Sequence, residues 1–302
     1  MPDSMHVFDR ALLRLRRDRA AGSLHAHGFL LGELAVRLTD RLLDFRRQFP
    51  RALDLGCHTG ELGRALGDTG AVELMFQADP SAAMARRAGA LAVSAEEDAL
   101  PFGFATLDLV VSAWSLHWVN DLPGALVQIR RALKPDGLFL AALAGSETLG
   151  ELRESLIEAE LYSERGAGPR VSPFMDGREL AALLERAGFA LPVVDVDRIT
   201  VTYADAFALM RDLRGMGESN ALLEQRKGFS RPATLARAAA LYRARHGDGE
   251  GRIPATFEIL FATAWAPHQS QQRPLAPGSA RHRLAAALDA EEIPTGIRAR
   301  PR

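Results

Sequence analysis

The sequence predicts an α/β fold with a doubly wound, mostly parallel sheet, and three observations carry that prediction. The first is a short apolar run ending in an acid and breaking into a glycine loop, Ala52-Leu53-Asp54-Leu55-Gly56-Cys57-His58-Thr59-Gly60, directly before helix-forming residues Glu61 to Leu66. The second is Asp79, which follows Gly60 by nineteen residues and closes the next apolar run. The third is the alternation of strand-type and helix-type patterns from Ala52 to Leu143, which implies parallel strands with helices on both faces. A glycine loop lets backbone approach a ligand closely, and the helix behind it offers unpaired N–H groups. An acid about 20 residues on can hold ribose hydroxyls.

Residues 8–48 read as helical, with Leu30, Leu31, Leu34, Val36, Leu38, Leu42 and Leu43 forming an apolar face. Ala52–Leu55 is a first strand, Val72–Gln77 a second, and Leu107–Ser112 a strongly apolar third. A helix over Leu122–Leu133 follows, capped by Asn120 or Asp121 and opened by Pro123. Lys134-Pro135-Asp136-Gly137 is a turn into the strand Leu138–Leu143. Beyond Gly145 the spacing predicts a helix over Glu147–Tyr162, a loop over Arg165–Pro173, a helix over Arg178–Ala187 and extended chain over Leu191–Tyr203. Helices over Asp205–Leu213 and Thr234–His246 precede a strand with Phe257, Ile259 and Phe261 on one face. That strand returns to the main sheet and makes residues 204–250 a helical insertion. The expected division is an N-terminal helical segment over 1–48, the main domain over 49–265 and a tail over 266–302, ordered chiefly over Ala280–Leu288.

Composition excludes several functions. With 302 residues and 47% hydrophobic side chains, the chain buries a core without staples, and its single cysteine, Cys57, rules out an internal disulfide. A net charge of −1 gives no global attraction to nucleic acid or anionic membranes. No apolar run is long enough to span a bilayer; Leu138–Leu143 is strand-sized. Only Lys134 and Lys227 are lysines against 35 arginines, so the cluster Arg10, Arg14, Arg16, Arg17 and Arg19 reads as coding bias on a solvated helix face. An arginine-rich start also fits a transit peptide, against which stand Asp3, Asp9 and Asp18. The cytoplasm is the expected location.

The loop narrows the ligand. Counting from Gly56, a dinucleotide loop needs glycine where His58 and Glu61 stand, and no Gly-Lys-Ser/Thr follows to make a P-loop. What is left, Asp-x-Gly-x-x-x-Gly opening a helix with an acid after the second strand, resembles the class I S-adenosylmethionine-dependent methyltransferases, a Rossmann-like, seven-stranded fold. The resemblance implies S-adenosyl-L-methionine as cofactor. Asp54, Gly56 and Gly60 are then loop positions around the methionyl end, joined by Cys57 and His58. Asp79 holds the ribose, Glu96 or Glu97 contacts adenine where Ala95 replaces the usual acid, and Ser112 sits at the end of its strand. His58 must turn away from the cofactor or touch it. Cys57 reads as a small buried filler.

Further motifs sharpen the resemblance. Phe8-Asp9-Arg10, Trp114-Ser115-Leu116-His117-Trp118-Val119-Asn120-Asp121-Leu122-Pro123, Leu133-Lys134-Pro135-Asp136-Gly137 and Leu213-Arg214-Gly215-Met216-Gly217-Glu218-Ser219-Asn220 are similar to the mitochondrial complex I assembly factor 5 family. So are Val171-Ser172-Pro173-Phe174, Arg186-Ala187-Gly188-Phe189, Pro254-Ala255-Thr256-Phe257 and His268-Gln269-Ser270-Gln271. That family implies an arginine hydroxylase on a methyltransferase fold, with an iron–sulfur subunit of complex I as protein substrate. It implies a bacterial homologue in the cytoplasm, or the matrix if the source is mitochondrial. A weaker resemblance to malonyl-carrier-protein methyltransferases implies methylation of a carboxylate, and a non-catalytic assembly chaperone is the third reading.

For an arginine acceptor, a guanidinium calls for a carboxylate and an aromatic face. Glu218 or Asp121 supplies the acid and Trp114 or Trp118 the ring, with core packing and helix capping as the alternatives. His117 reads as a general base or as a buried neutral histidine. No metal site is expected: the only His-x-Asp, His246-Gly247-Asp248, lacks the second histidine of an iron triad.

Overall fold

A computed structural model describes residues 6–163, 166–272, 279 and 283–291. Helices α1 (Arg10–Ala20) and α2 (Phe29–Leu43) come first, separated by a single 3-10 turn at Leu24–Ala26. The helical reading of 8–48 is therefore broken around Gly22 and Gly28, and its last residues, 44–48, lead into strand. There follow β1 (Phe49–Leu55), α3 (Glu61–Gly67), β2 (Val72–Asp79), α4 (Ala82–Ala88), β3 (Ala92–Ser94), β4 (Leu107–Ala113) and α5 (Leu122–Ala132). The chain continues through β5 (Leu133–Ala144), α6 (Gly150–Ser163), α7 (Gly177–Arg186), β6 (Ala190–Tyr203), α8 (Ala206–Met216), α9 (Pro232–His246) and β7 (Ile253–Trp265).

Among the described residues seven strands form one sheet in the order β3-β2-β1-β4-β5-β7-β6. β7 runs antiparallel to both neighbours, and the pairings among β1 to β5 are parallel. The central strands are buried on both faces, and alternate residues serve opposite layers. Leu109, Val111, Leu138 and Leu140 pack with α2 and α3 through Leu34, Leu38 and Leu66. Val110, Phe139 and Ala141 face the other way, onto Leu126 and Ile129 of α5 and Leu180 and Leu184 of α7.

Several boundaries differ from the sequence reading. β1 begins at Phe49 and carries Pro50 near its start. The turn Lys134–Gly137 lies inside β5, where Asp136 takes φ +62° and the pairing with β4 shifts register. The short β3, at the sheet edge, has too few residues to show a period. The helix expected from Glu147 starts at Gly150, after Thr148 and Leu149 tie back to β7. Of the loop expected over Arg165–Pro173, Arg165 lies outside the described residues. α8 and α9 do fall between β6 and β7, as the insertion requires.

The chain separates into a large compact unit up to Pro267 and a small one from His268. Within the latter, α10 (Leu284–Leu288) is the described helix; Ala280, the expected start of order in the tail, lies outside the described residues. Among those residues no helix is long and apolar enough to cross a membrane.

Candidate functional site

The parallel strands end together, and β1, β2 and β4 bring their terminal side chains to one edge of the sheet. There β1 breaks into the loop because Gly56 takes φ +71° and Gly60 takes φ +89°. A side chain at Gly56 would place its Cβ 2.1 Å from Cβ of Ser115. His58 also has positive φ, +50°, an uncommon backbone for a side chain of its size. Three contacts hold it there. Its N–H donates to Oδ2 of Asp79 at 3.1 Å, and its ring Nε2–H faces the carbonyls of Ala113 and Trp114 at 3.2 and 3.3 Å. The imidazole thus turns across the loop to the end of β4.

Asp54 and Asp79 are both fully buried beside this loop. Burial, followed by the nearby Glu61 and Asp79, pushes the pKa of Asp54 up from 3.8 to about 7, against the smaller opposing effect of hydrogen bonds from the backbone N–H of Gly63 and the Gln77 side chain. Asp79 accepts from the N–H of Ser81 at 2.8 Å, and burial raises its pKa too. Cys57 is buried, and burial pushes its thiol far above the usual range, so it is an inert filler. Ser112 is buried on β4 with its hydroxyl unpartnered.

Into this acidic edge α1 inserts arginines, and here the structure corrects the reading of a solvated face. Arg17 is completely buried. Its guanidinium lies 3.4 Å from Asp79 and 3.5 Å from Glu97, and it donates to Oγ of Ser115 at 3.1 Å. Arg10 pairs with both Glu96 and Glu97, and Arg14 reaches Glu96 at the surface. Burial opposes the charge on Glu97, but Arg10, Arg17 and the Ser115 hydroxyl outweigh it and hold its pKa below the ordinary value. Arg10, Arg14 and Arg17 are spaced i, i+4, i+7, so a single helix face presents them. That spacing was visible in the sequence; composition hid it.

A second group forms where the chain leaves β4. Trp118 Nε1–H donates to Oε2 of Glu218 at 2.7 Å, and His117 Nε2 lies 3.5 Å from the same oxygen. The N–H of Ala144 approaches His117 Nδ1 at 3.5 Å, which assigns the ring proton to Nε2. Burial lowers the pKa of His117 against the pull of Glu218. Burial also works against ionisation of Glu218, yet its contact with His117 brings the pKa below the ordinary value. The pair is therefore a carboxylate beside a neutral imidazole. Oε1 of Glu218 is buried without a partner. Glu218 lines a cavity of about 260 Å³ walled also by Trp114, Trp118, Phe174 and Phe257.

The structure thus gathers Asp54, Gly56, Cys57, His58, Gly60, Asp79, Glu97 and Ser112 at one edge, and His117, Trp118 and Glu218 beside the cavity. Glu96 stands at the rim, between Arg10 and Arg14. Asp121 stays apart: exposed, it caps α5 by accepting from the N–H of Gly124 at 2.9 Å, and it does not line the cavity.

This sheet order and glycine loop define a class I methyltransferase-fold enzyme. A family model described as a methyltransferase domain matches residues 26–192. The arginine-hydroxylase NDUFAF5, mitochondrial, of Danio rerio is 44% identical over 283 residues, covering 91% of this chain and 88% of that protein. A malonyl-acyl-carrier-protein O-methyltransferase of Methylovorus sp. is 33% identical, covering 88% and 92%. A putative methyltransferase structure from Bacillus halodurans C-125 aligns with a TM-score of 0.52 at 15% identity, over 76% of this chain and 99% of that one, and so shares the fold. The chain belongs to the NDUFAF5 family of methyltransferase-domain proteins.

One consequence of the buried acid is testable without any ligand. Asp54 keeps its proton in the folded protein up to about pH 7, whereas the unfolded chain releases it near pH 4. The folded state binds the extra proton between those values, so stability falls as pH rises through that window and levels off above it. Asp54→Asn cannot titrate. Its unfolding free energy should gain on wild type by about 2–4 kcal/mol between pH 4 and pH 8. Urea midpoints across that range check this, and parallel profiles would refute it.

Proposed function

We propose that this chain is an S-adenosylmethionine-dependent enzyme that modifies an arginine side chain, by hydroxylation or methylation, on a protein subunit of respiratory complex I. The observation that carries the reading is Glu218, a buried carboxylate with one oxygen unpartnered, in a cavity walled by aromatic rings. A guanidinium entering that cavity meets a fixed anion and ring faces, the pairing that suits arginine. Trp118 and His117 hold the other oxygen, so the carboxylate is oriented before the acceptor arrives. Both ring nitrogens of His117 are engaged, which makes it a positioning residue for Glu218 rather than a free base. The name of the relative in Danio rerio supports the same chemistry.

The cofactor edge fits in kind. Asp79 would hold the ribose, the Gly56–Gly60 turn the methionyl end and Glu97 the adenine side, with the buried carboxyl of Asp54 beside the loop. When bound, the cofactor supplies a sulfonium-activated methyl group. Arg17 holds the acids in its place, so binding requires the guanidinium to give up Asp79. His58 keeps its ring on the carbonyls of Ala113 and Trp114 and leaves the loop backbone free.

Arg214 also lines the cavity and forms no ion pair among the described residues, which favours a carboxylate acceptor as the second reading. The name of the relative in Methylovorus matches it.

Calorimetry with S-adenosylmethionine should show binding, weakened roughly 10- to 100-fold in Asp79→Asn, since a charged hydrogen bond contributes about 1.5–3 kcal/mol. No heat from the wild-type protein would remove both cofactor-dependent readings and leave an assembly chaperone. Mass spectrometry of the complex I subunits should show one oxygen or one CH₂ gained on an arginine when the protein is present. That gain should vanish with Glu218→Gln. The same mass on a carboxylate would favour the second reading.

A further inference from the structure

Beside the aromatic cavity lies a larger one of about 590 Å³, bounded by the last turns of α1, by His27 and by α8. Its walls carry Arg16, Arg19, Arg211 and Arg214. Arg16 is committed to the protein, donating to the carbonyl of Ser219 at 2.7 Å and to that of Asn220. His27 is paired with Asp212 at 2.7 Å. Arg19, Arg211 and Arg214 are exposed and form no ion pair among the described residues. Of the acids close by, Asp9 acts on Arg16, and Glu218 lines the neighbouring cavity, held by Trp118 and His117. A chain of net charge −1 thus concentrates unpaired guanidiniums around one concavity, an arrangement that repels itself until an anion enters.

The two cavities share Arg214 and Ser219 in their walls. An occupant that fills both must be extended, with one side chain beside Glu218 and negative charge along the second cavity. The arginines stand as two pairs, Arg16 and Arg19 on α1, and Arg211 and Arg214 on α8, each at i, i+3 spacing on one helix face. That layout offers charge along a path rather than a single cradle, which fits successive carboxylates better than one phosphate group.

We propose that this groove docks an acidic stretch of the polypeptide substrate adjoining the residue that enters the aromatic cavity. The proposal rests on the reading of the chain as a protein-modifying enzyme and adds the sequence context it selects. Docking through the groove fixes the substrate backbone while the target side chain is held by Glu218. Exposed charge pairs of this kind steer encounter and weaken with salt.

Fluorescence anisotropy on the full chain, with four labelled peptides, tests this. The first has one arginine beside a run of glutamates, the second the same arginine beside glutamines. The third keeps the glutamates and replaces the arginine by glutamine, and the fourth has glutamine throughout. The glutamate peptides should bind about tenfold tighter than their glutamine counterparts at low salt, with the gap closing as salt rises. Arg19→Glu/Arg211→Glu should abolish the gap without weakening the second peptide, and Arg19→Gln/Arg211→Gln should narrow it; retained thermal melting shows that both variants fold. Equal binding of glutamate and glutamine peptides by wild type would overturn the proposal. So would a gap that survives the charge reversal, or loss of phosphatidylglycerol-vesicle binding in the variants with no peptide preference in wild type. The third and fourth peptides report on the groove alone. A difference between the first and third that disappears in Glu218→Gln reports separately on the arginine reading.

Discussion

Arg17 sits at the centre of a buried charge cluster on which both sites depend. β2 and the segment after β3 deliver Asp79 and Glu97 to the carboxyl edge of the sheet, and the loop after β4 delivers Ser115; α1 supplies the cation between them. Desolvating charges costs several kcal/mol per ion, so each acid is tolerable only while the guanidinium remains, and the guanidinium only while the acids do. Arg10 adds a second cation on Glu97 from the same helix face.

The position of α1 then sets the rest. The backbone of Gly217 passes against Arg17 and Ala20, and Arg16 holds the carbonyls of Ser219 and Asn220. Glu218 lies between these anchors, so the helix that covers the carboxyl edge of the sheet also fixes the carboxylate in the aromatic cavity. At its start, Phe8 packs edge-on against Trp118 at 5.1 Å, and Asn120 bonds the backbone of Val7 and Phe8. A displacement of α1 is therefore felt at Trp118 and Glu218 together. The sheet edge and the aromatic cavity are thus joined through the contacts of one helix.

Much of this was legible in the residues. The glycine loop, the acids near the ends of β1 and β2 and the return of β7 to the sheet all leave local signatures: glycines where a turn is needed, apolar runs ending in acid, and period-two alternation; the antiparallel direction of β7 does not. The sequence offers Glu218 or Asp121 as an acid and Trp114 or Trp118 as a ring; the structure sets Trp118 Nε1 2.7 Å from Glu218. What stayed hidden was positional. Arginine abundance is a property of the whole chain and says nothing about which guanidinium is buried, and the acids facing Arg17 lie 62 and 80 residues away. Asp121, which the sequence offers both as an acceptor acid and as a helix cap, takes the second role and serves its own helix. β3 was missed because three residues at an edge carry no period.

The claim that Arg17 and the acids stabilise one another is tested most directly by a double-mutant cycle on urea unfolding, with Arg17→Met, Asp79→Asn and the pair. The account predicts that Arg17→Met alone costs about 3–5 kcal/mol, because buried carboxylates lose their counter-ion. Adding Asp79→Asn should then recover part of that loss, with a coupling of at least about 1 kcal/mol. Costs that add within about 0.5 kcal/mol would contradict it.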